Sequence, residues 1–126
     1  MMVFTNDTPI YLQIVNKIKE QLIIGEFKVG EKMPSVREYS KLIKVNPTTI
    51  QRVYKELEME GLIHTKRGMG SFITDDNKLI LKMKTEIANK LTDDYIMKMS
   101  LIGFDNVKLQ KIINKHIREV NNDKSY

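Results

Sequence analysis

Four side chains that form hydrogen bonds lie close together near the middle of the chain: Thr48, Thr49, Gln51 and Arg52. Threonine hydroxyls bond to phosphate oxygens and threonine methyls contact thymine, whereas glutamine pairs with adenine and arginine with guanine. Each paired base contact discriminates between bases by about 1–3 kcal/mol. These residue types, in this order, therefore predict a surface that reads double-stranded DNA.

Basic side chains surround this group without acidic neighbours. The stretch 39–55 contains no aspartate or glutamate, and its basic residues are Lys41, Lys44, Arg52 and Lys55. We expect phosphate contacts, which add affinity without reading sequence, from Ser35, Lys41, Lys44 and Lys55. Arg37 stands just after a predicted helix start, where backbone N–H groups also favour an anion. The net charge of +5 permits such a partner but does not identify it.

Two short predicted helices position these residues. Ser35 and Glu38 form a Ser-x-x-Glu capping pattern ahead of a helix over 36–43. Asn46 is a good N-cap for the next helix, and Pro47 fits its first position. The inward stripe of that second helix is Ile50, Val53, Tyr54 and Leu57, and its outward side carries Thr48, Arg52 and Lys55, flanked by Thr49 and Gln51. Two such helices joined by a tight turn predict a helix-turn-helix.

The segments on either side extend this pattern. A first amphipathic helix is predicted with Thr8 as its cap, Pro9 at its first position and Gly25 at its end. Its predicted apolar stripe is Tyr11, Ile14, Val15, Ile18 and Leu22. After the helix pair, "LIHTK" and "SFIT" have the period-two pattern of strands, joined by a glycine-containing turn. The tip of this hairpin carries Lys66, Arg67 and Gly68, which we expect to reach DNA.

The order of three helices and a hairpin predicts a winged helix-turn-helix domain over 8–75. Good capping chemistry and a solvated basic face would also explain the second helix taken alone, but the hairpin in this place favours the DNA-reading interpretation. The predicted fold class is mainly α with a small β-hairpin.

The remaining segment, 76–122, predicts two further amphipathic helices separated near Gly103. Two helices of this size cannot bury both apolar stripes within one chain, so we expect a homodimer. The residues expected in the dimer contact are Ile80, Met83, Ile87, Leu91, Tyr95, Met99, Leu109, Ile113, Ile117 and Val120.

Residues 8–74 resemble the DNA-binding domain of the GntR family of bacterial transcription regulators. The family pattern has a Pro-Ser-x-Arg-Glu helix start, a Val-x-x-x-Thr recognition-helix start, a Leu-x-x-Glu-Gly-Leu-Ile exit and a Gly-x-Gly-x-Phe wing. In this chain the matching stretches are 34–38, 45–49, 57–63 (with Met59 inserted) and 68–72. The resemblance implies DNA contacts at Arg37, Thr48, Thr49, Gln51, Arg67 and Gly68.

The Asn-Pro-x-Thr variant and the short tail are similar to the YtrA-type branch of that family. This similarity implies a repressor that dimerises through two terminal helices and acts on an operon for a membrane transporter. Many family members carry arginine where this chain has Pro47 and Gln51. Operators of other branches therefore do not transfer to this chain.

Other classes of protein find little support. The chain has no cysteine, and its two histidines do not have the spacing of metal ligands. No carboxylate pair or nucleophile arrangement indicates an enzyme, and no cofactor is predicted. No apolar run is long enough to span a membrane. The absence of cysteine suits a cytoplasmic protein. Two alternatives to the DNA regulator remain: a winged-helix module that binds a protein, and a sensor whose unknown small-molecule effector releases DNA.

Overall fold

The computed structural model describes residues 2–122, which form five helices and one two-stranded antiparallel sheet. In chain order the elements are α1 (Ile10–Ile23), α2 (Val36–Ile43), α3 (Pro47–Met59), β1 (Ile63–Lys66), β2 (Gly70–Ile73), α4 (Asn77–Leu101) and α5 (Asn106–Asn122). This confirms the predicted class, mainly helical with a small hairpin. The chain divides into two compact units, one ending at Lys84 and the other beginning at Thr85. We refer to them as the winged unit and the tail unit.

The start of α1 differs from the prediction. The helix begins at Ile10, and Pro9 precedes it as the N-cap residue, with no capping side chain. The prediction that Thr8 caps the helix is wrong, because the Thr8 carbonyl instead accepts a hydrogen bond from the Gln13 side chain at 2.8 Å. The same amide donates to the carbonyl of Thr5 at 2.9 Å, so Gln13 holds the incoming segment against α1.

The core of the winged unit lies between α1, the inward face of α3 and the hairpin. The buried apolar residues of the winged unit are Ile14, Val15, Ile18, Leu22, Met33, Tyr39, Ile50, Val53, Tyr54, Leu57, Leu62, Ile63, Ile73 and, at the start of α4, Met83. The predicted inward stripe of α3 is buried in full. An ion pair of 2.7 Å between Lys19 and Glu60 joins α1 to the end of α3. The opposite face of α3 is thereby left at the surface.

The hairpin pairs Ile63 with Ile73 at its base and Lys66 with Gly70 at its tip. Its base gains support from the segment before α2. Lys32 bridges to Phe72, and the Met33 N–H donates to the Ser71 carbonyl at 2.8 Å. The wing therefore starts from a base of three paired segments.

In the tail unit, α4 ends in a turn at Gly103, which has φ +92, and α5 begins after Asp105. The Asp105 carboxylate caps α5 by accepting from the Lys108 N–H at 2.9 Å. Of the residues predicted to lie in a dimer contact, Met83 and Leu109 are buried within the single chain. Leu91, Tyr95, Ile117 and Val120 are exposed.

Candidate nucleic-acid interface

The turn between α2 and α3 fixes where α3 begins. Lys44 adopts a left-handed conformation with φ 57, which reverses the chain within three residues. The buried Ser40 hydroxyl donates to the Val45 carbonyl, and the Val45 N–H donates to the Ser40 carbonyl at 3.1 Å. Asn46 then accepts from the Thr48 N–H at 2.8 Å, which confirms it as the N-cap. The first turn of α3 is therefore held by the turn that precedes it and by the cap on the Thr48 N–H group.

Exposed side chains of α3 form a shallow concave stripe on the side opposite its core residues. This α3 stripe is lined by Thr48, Gln51, Arg52, Lys55, Glu56 and Met59. Thr49 is half-buried and lies at the flank. The structure thus brings three of the predicted base-reading residues and the predicted phosphate contact Lys55 onto one surface, together with one carboxylate and one apolar side chain that the prediction did not include. A surface of hydroxyl, amide and cationic groups on one helix matches the chemistry needed to contact base edges and phosphates.

Arg52 is held by a neighbour from another helix. Its guanidinium carbon lies 3.7 Å from the centre of the Tyr11 ring, in a cation–π contact. Tyr11 stands in the first turn of α1 and is half-buried. One of the two cationic groups of the α3 stripe therefore packs against an aromatic ring of α1.

The predicted DNA contacts in α2 and at its two ends lie in different places on the surface. Ser35 lines a small surface cavity with Lys32, Gly70 and Ser71 from the wing side. Lys44 lines a different groove, together with Lys17 and other residues. Arg37 is exposed in the first turn of α2. Among these residues, Ser35 is the one that the structure associates with the wing.

The capping box at α2 is present and shapes the chemistry of Ser35. The Ser35 N–H donates to the Glu38 carboxylate at 2.9 Å, which lowers the pKa of Glu38, and the Ser35 hydroxyl lowers it further. That hydroxyl accepts from the Glu38 N–H at 3.1 Å.

Tyr54 braces the loop before α2 from the core side of α3. Its hydroxyl donates to the Pro34 carbonyl at 2.6 Å. Burial raises the pKa of the Tyr54 phenol, so this group stays protonated and remains a donor. Tyr39 lies beside it with ring centres 6.1 Å apart. These contacts tie α2 to α3 behind the exposed α3 stripe.

The wing presents its predicted cations on an exposed tip. Arg67 is exposed, and Gly68 has φ +76, which allows the turn to close. Lys66 is partly engaged, because its ammonium lies 4.6 Å from the centre of the Phe72 ring. Arg67 and Gly68 are thus available at the tip, while Lys66 packs along the wing.

Residues 10–73 match the family described as "Bacterial regulatory proteins, gntR family". The chain belongs to the GntR family. It is 38% identical over 100 residues to the uncharacterized HTH-type transcriptional regulator YhcF of Bacillus subtilis (strain 168), covering 79% of this chain and 83% of that protein. It is 47% identical over 76 residues to the HTH-type transcriptional repressor YtrA of the same organism, covering 60% of this chain and 58% of that protein.

A solved structure supports the same assignment. A GntR family transcriptional regulator from Listeria monocytogenes is 40% identical, with a TM-score of 0.84 over 89% of this chain and 98% of that chain. These GntR relatives are transcriptional regulators, in agreement with the prediction that the chain is not an enzyme. The protein is a DNA-binding transcription regulator with a winged helix-turn-helix fold.

Two further features of this GntR protein bear on its chemistry. Among residues 2–122, no helix is long and apolar enough to cross a membrane. Within the same range, no group of three or more histidine, cysteine, aspartate or glutamate residues is arranged to hold a metal ion.

Two residues of the site were missed by the sequence analysis. Tyr11 was assigned to the core stripe of α1, and nothing in the sequence indicated that its ring carries Arg52. Lys32 packs over the wing so closely that a side chain at Gly70 would meet its Cε at 2.9 Å. The glycine at the start of β2 was the available signal, since glycine in a strand marks a close approach.

Proposed function

We propose that this protein is a homodimeric repressor that binds an inverted-repeat operator through two copies of the winged unit. The observation that carries the proposal is the α3 stripe, which holds Thr48, Gln51, Arg52 and Lys55 on one exposed surface. In helix-turn-helix regulators the second helix of the pair enters the major groove, and α3 occupies that position in the chain. The resemblance to the YtrA-type branch supports a repressor and a target operon for a membrane transporter. Binding to chromosomal DNA would place the protein in the cytoplasm.

The contacts in this proposal fall into two classes. Direct readout of bases comes from Thr48, Thr49, Gln51 and Arg52, with Asn46 holding the first turn of α3. Phosphate contacts come from Ser35, Arg37, Lys44, Lys55, Lys66, Arg67 and the backbone at Gly68. Phosphate contacts make affinity strongly dependent on salt, whereas base contacts decide which sequence is bound.

Dimerisation in this proposal uses the segment 76–122, and DNA binding uses 8–75. Exposed apolar side chains along α4 and α5 support it, because monomeric proteins rarely leave large contiguous apolar surfaces uncovered. Leu91 is 65% exposed and Leu101 is 79% exposed in the single chain. Ile80, Met83, Ile87, Met99, Leu109 and Ile113 complete the proposed stripes. Two-fold pairing would set the two α3 helices to read half-sites about one helical turn or more apart.

The proposal is tested by selecting bound duplexes from a random double-stranded DNA pool, at moderate salt and with competitor DNA. We expect enrichment of an inverted repeat. A folded, dimeric protein that enriches no sequence would contradict the proposal and would favour a protein partner. Repeating the selection with added metabolites distinguishes a regulator that needs a small-molecule effector.

Two variants from the same exposed stripe separate the classes of contact. Gln51→Ala should relax specificity at one position of each half-site, at about 1–3 kcal/mol. Lys55→Ala should weaken binding to all duplexes alike and reduce the salt slope by about one unit for each half-site. If both variants behaved alike, the division into base and phosphate contacts would be wrong.

A further inference from the structure

The contact between Arg52 and Tyr11 joins two helices at the edge of the α3 stripe. The Arg52 guanidinium carbon lies 3.7 Å from the Tyr11 ring centre, so the planar group rests against the ring. Arg52 is exposed, whereas Tyr11 is half-buried at the start of α1. The arginine is therefore the mobile partner of the pair and the tyrosine is the support.

A cation–π contact with Tyr11 leaves the N–H donors of the Arg52 guanidinium available for hydrogen bonds. The five N–H donors of a guanidinium point outward in its plane, whereas a ring below it occupies only one face. A base edge or a phosphate binds through that outward edge. Contact with Tyr11 thus limits the positions of the guanidinium without consuming the donors that would pair with guanine.

The support is itself firmly placed. α1 packs on α3 through its buried residues, including Ile14 and Ile18. The Lys19–Glu60 ion pair of 2.7 Å joins the same two helices further along. Because Tyr11 belongs to α1, its backbone position does not depend on the rotamer of Arg52. The ring is therefore carried by an element that packs on α3 independently of the arginine.

We propose that Tyr11 is a positioning residue for sequence recognition, which holds the Arg52 guanidinium so that its free edge reads one base pair, a guanine in each half-site. This inference rests on the proposed function. A long side chain loses rotamer freedom when it binds, and part of that loss has already occurred in the stacked arginine. Tyr11 therefore sharpens discrimination at the base pair that Arg52 contacts and leaves the other positions unchanged.

The test measures binding of the full chain to the selected operator and to its three single-base variants at each position of the half-site. Tyr11→Leu keeps apolar bulk but removes the ring, and Tyr11→Phe keeps the ring. Tyr11→Leu should reduce discrimination about two- to fivefold at one position, the value expected of an exposed cation–π contact. Arg52→Ala should abolish discrimination at that same position. Tyr11→Phe should retain wild-type discrimination there.

The combination Tyr11→Leu with Arg52→Ala provides the control. Discrimination in the double variant should equal that of Arg52→Ala alone, because the ring acts only through the arginine. A thermal melt of each variant separates loss of folding from loss of reading. The inference would be overturned if Tyr11→Leu weakened binding to all duplexes equally. It would also be overturned if Tyr11→Leu left discrimination between bases unchanged or increased it. If the wild-type chain enriched no operator, the proposed function would fail and this inference would fail with it.

Discussion

The winged unit and the tail unit treat their apolar residues in opposite ways. In the winged unit, α1, α3 and the hairpin enclose a core in which Ile14, Ile18 and Ile50 are completely buried. In the tail unit, α4 and α5 keep large apolar side chains at the surface of the single chain, including Leu91, Leu101 and Ile117. Both units contain amphipathic helices, yet only one of them closes a core of its own.

This difference teaches that the two units obtain their stability from different sources. Three helices and a supported hairpin supply enough inward faces to bury one another. Two helices have too few such faces, so their apolar stripes remain available to a second copy. Core substitutions in the winged unit should therefore lower the free energy of unfolding at any protein concentration. Substitutions in the tail unit should instead act by weakening assembly of the dimer.

The largest effect is expected from Ile50→Ala, which removes a fully buried side chain from α3. The free energy of unfolding should fall by about 2–5 kcal/mol, through lost burial and the cavity left behind. Leu91→Ala, at a site 65% exposed in the single chain, should change it by less than about 0.5 kcal/mol when the protein is diluted to monomers. Chemical denaturation at low concentration measures both. Equal losses would break the contrast between the units.

The next effect concerns assembly and uses two exposed leucines. Leu91→Glu should weaken the dimer by at least about 2 kcal/mol, roughly thirtyfold, because a carboxylate would be desolvated in the contact. Leu42→Glu is the matched control, at a site 71% exposed on α2 in the winged unit. Sedimentation velocity across a concentration series measures the dissociation constant. A wild-type chain that is monomeric at micromolar concentration would contradict the prediction, as would a Leu42→Glu variant that dissociates equally.

Local chemistry allowed much of the winged unit to be predicted from sequence. The range of α2, the cap at Asn46 and Pro47 at the start of α3 agree with the structure, because each depends on residues within one turn. The pairing of Lys32 with Phe72 was not predictable in this way. It joins segments far apart in sequence, and only the closed core brings them together.

The candidate site also has one part that could be predicted from local sequence and one part that could not. Helical periodicity was sufficient to place Thr48, Gln51, Arg52 and Lys55 on one surface. The partner of Arg52 was not predictable, because Tyr11 fits the apolar stripe of α1 equally well as a core residue. Periodicity assigns a residue to a face but not to the neighbour that it meets there. DNA contact at each of these positions stays a prediction.

A smaller effect compares the same kind of cap in both units. Asn46→Ala removes the acceptor of the Thr48 N–H, and Asp105→Ala removes that of the Lys108 N–H. Each should cost about 0.5–2 kcal/mol of helix stability. Asn46→Ala should also weaken operator binding, because Thr48 follows directly, whereas Asp105→Ala should act on the dimer. Binding of labelled DNA and sedimentation separate the two results, and Asn46→Ser should restore the cap. Weakened dimerisation in Asn46→Ala without loss of DNA binding would contradict this assignment.

The smallest effect is a pH dependence that belongs to the winged unit alone. Hydrogen bonds from Ser35 hold the pKa of the Glu38 carboxyl below its ordinary value of 4.5. A carboxyl with a lowered folded-state pKa stabilises the protein above its ordinary pKa, and the contribution is lost as pH falls through the folded value.

Glu38→Gln keeps the capping geometry but cannot ionise. The difference in unfolding free energy between wild type and Glu38→Gln should therefore be constant above about pH 6 and shift against the wild type as pH falls below the ordinary pKa of 4.5. The other carboxyls are common to both proteins, so their titration largely cancels. A difference that stays constant down to pH 3 would show that the capping box is not formed by the ionised carboxylate.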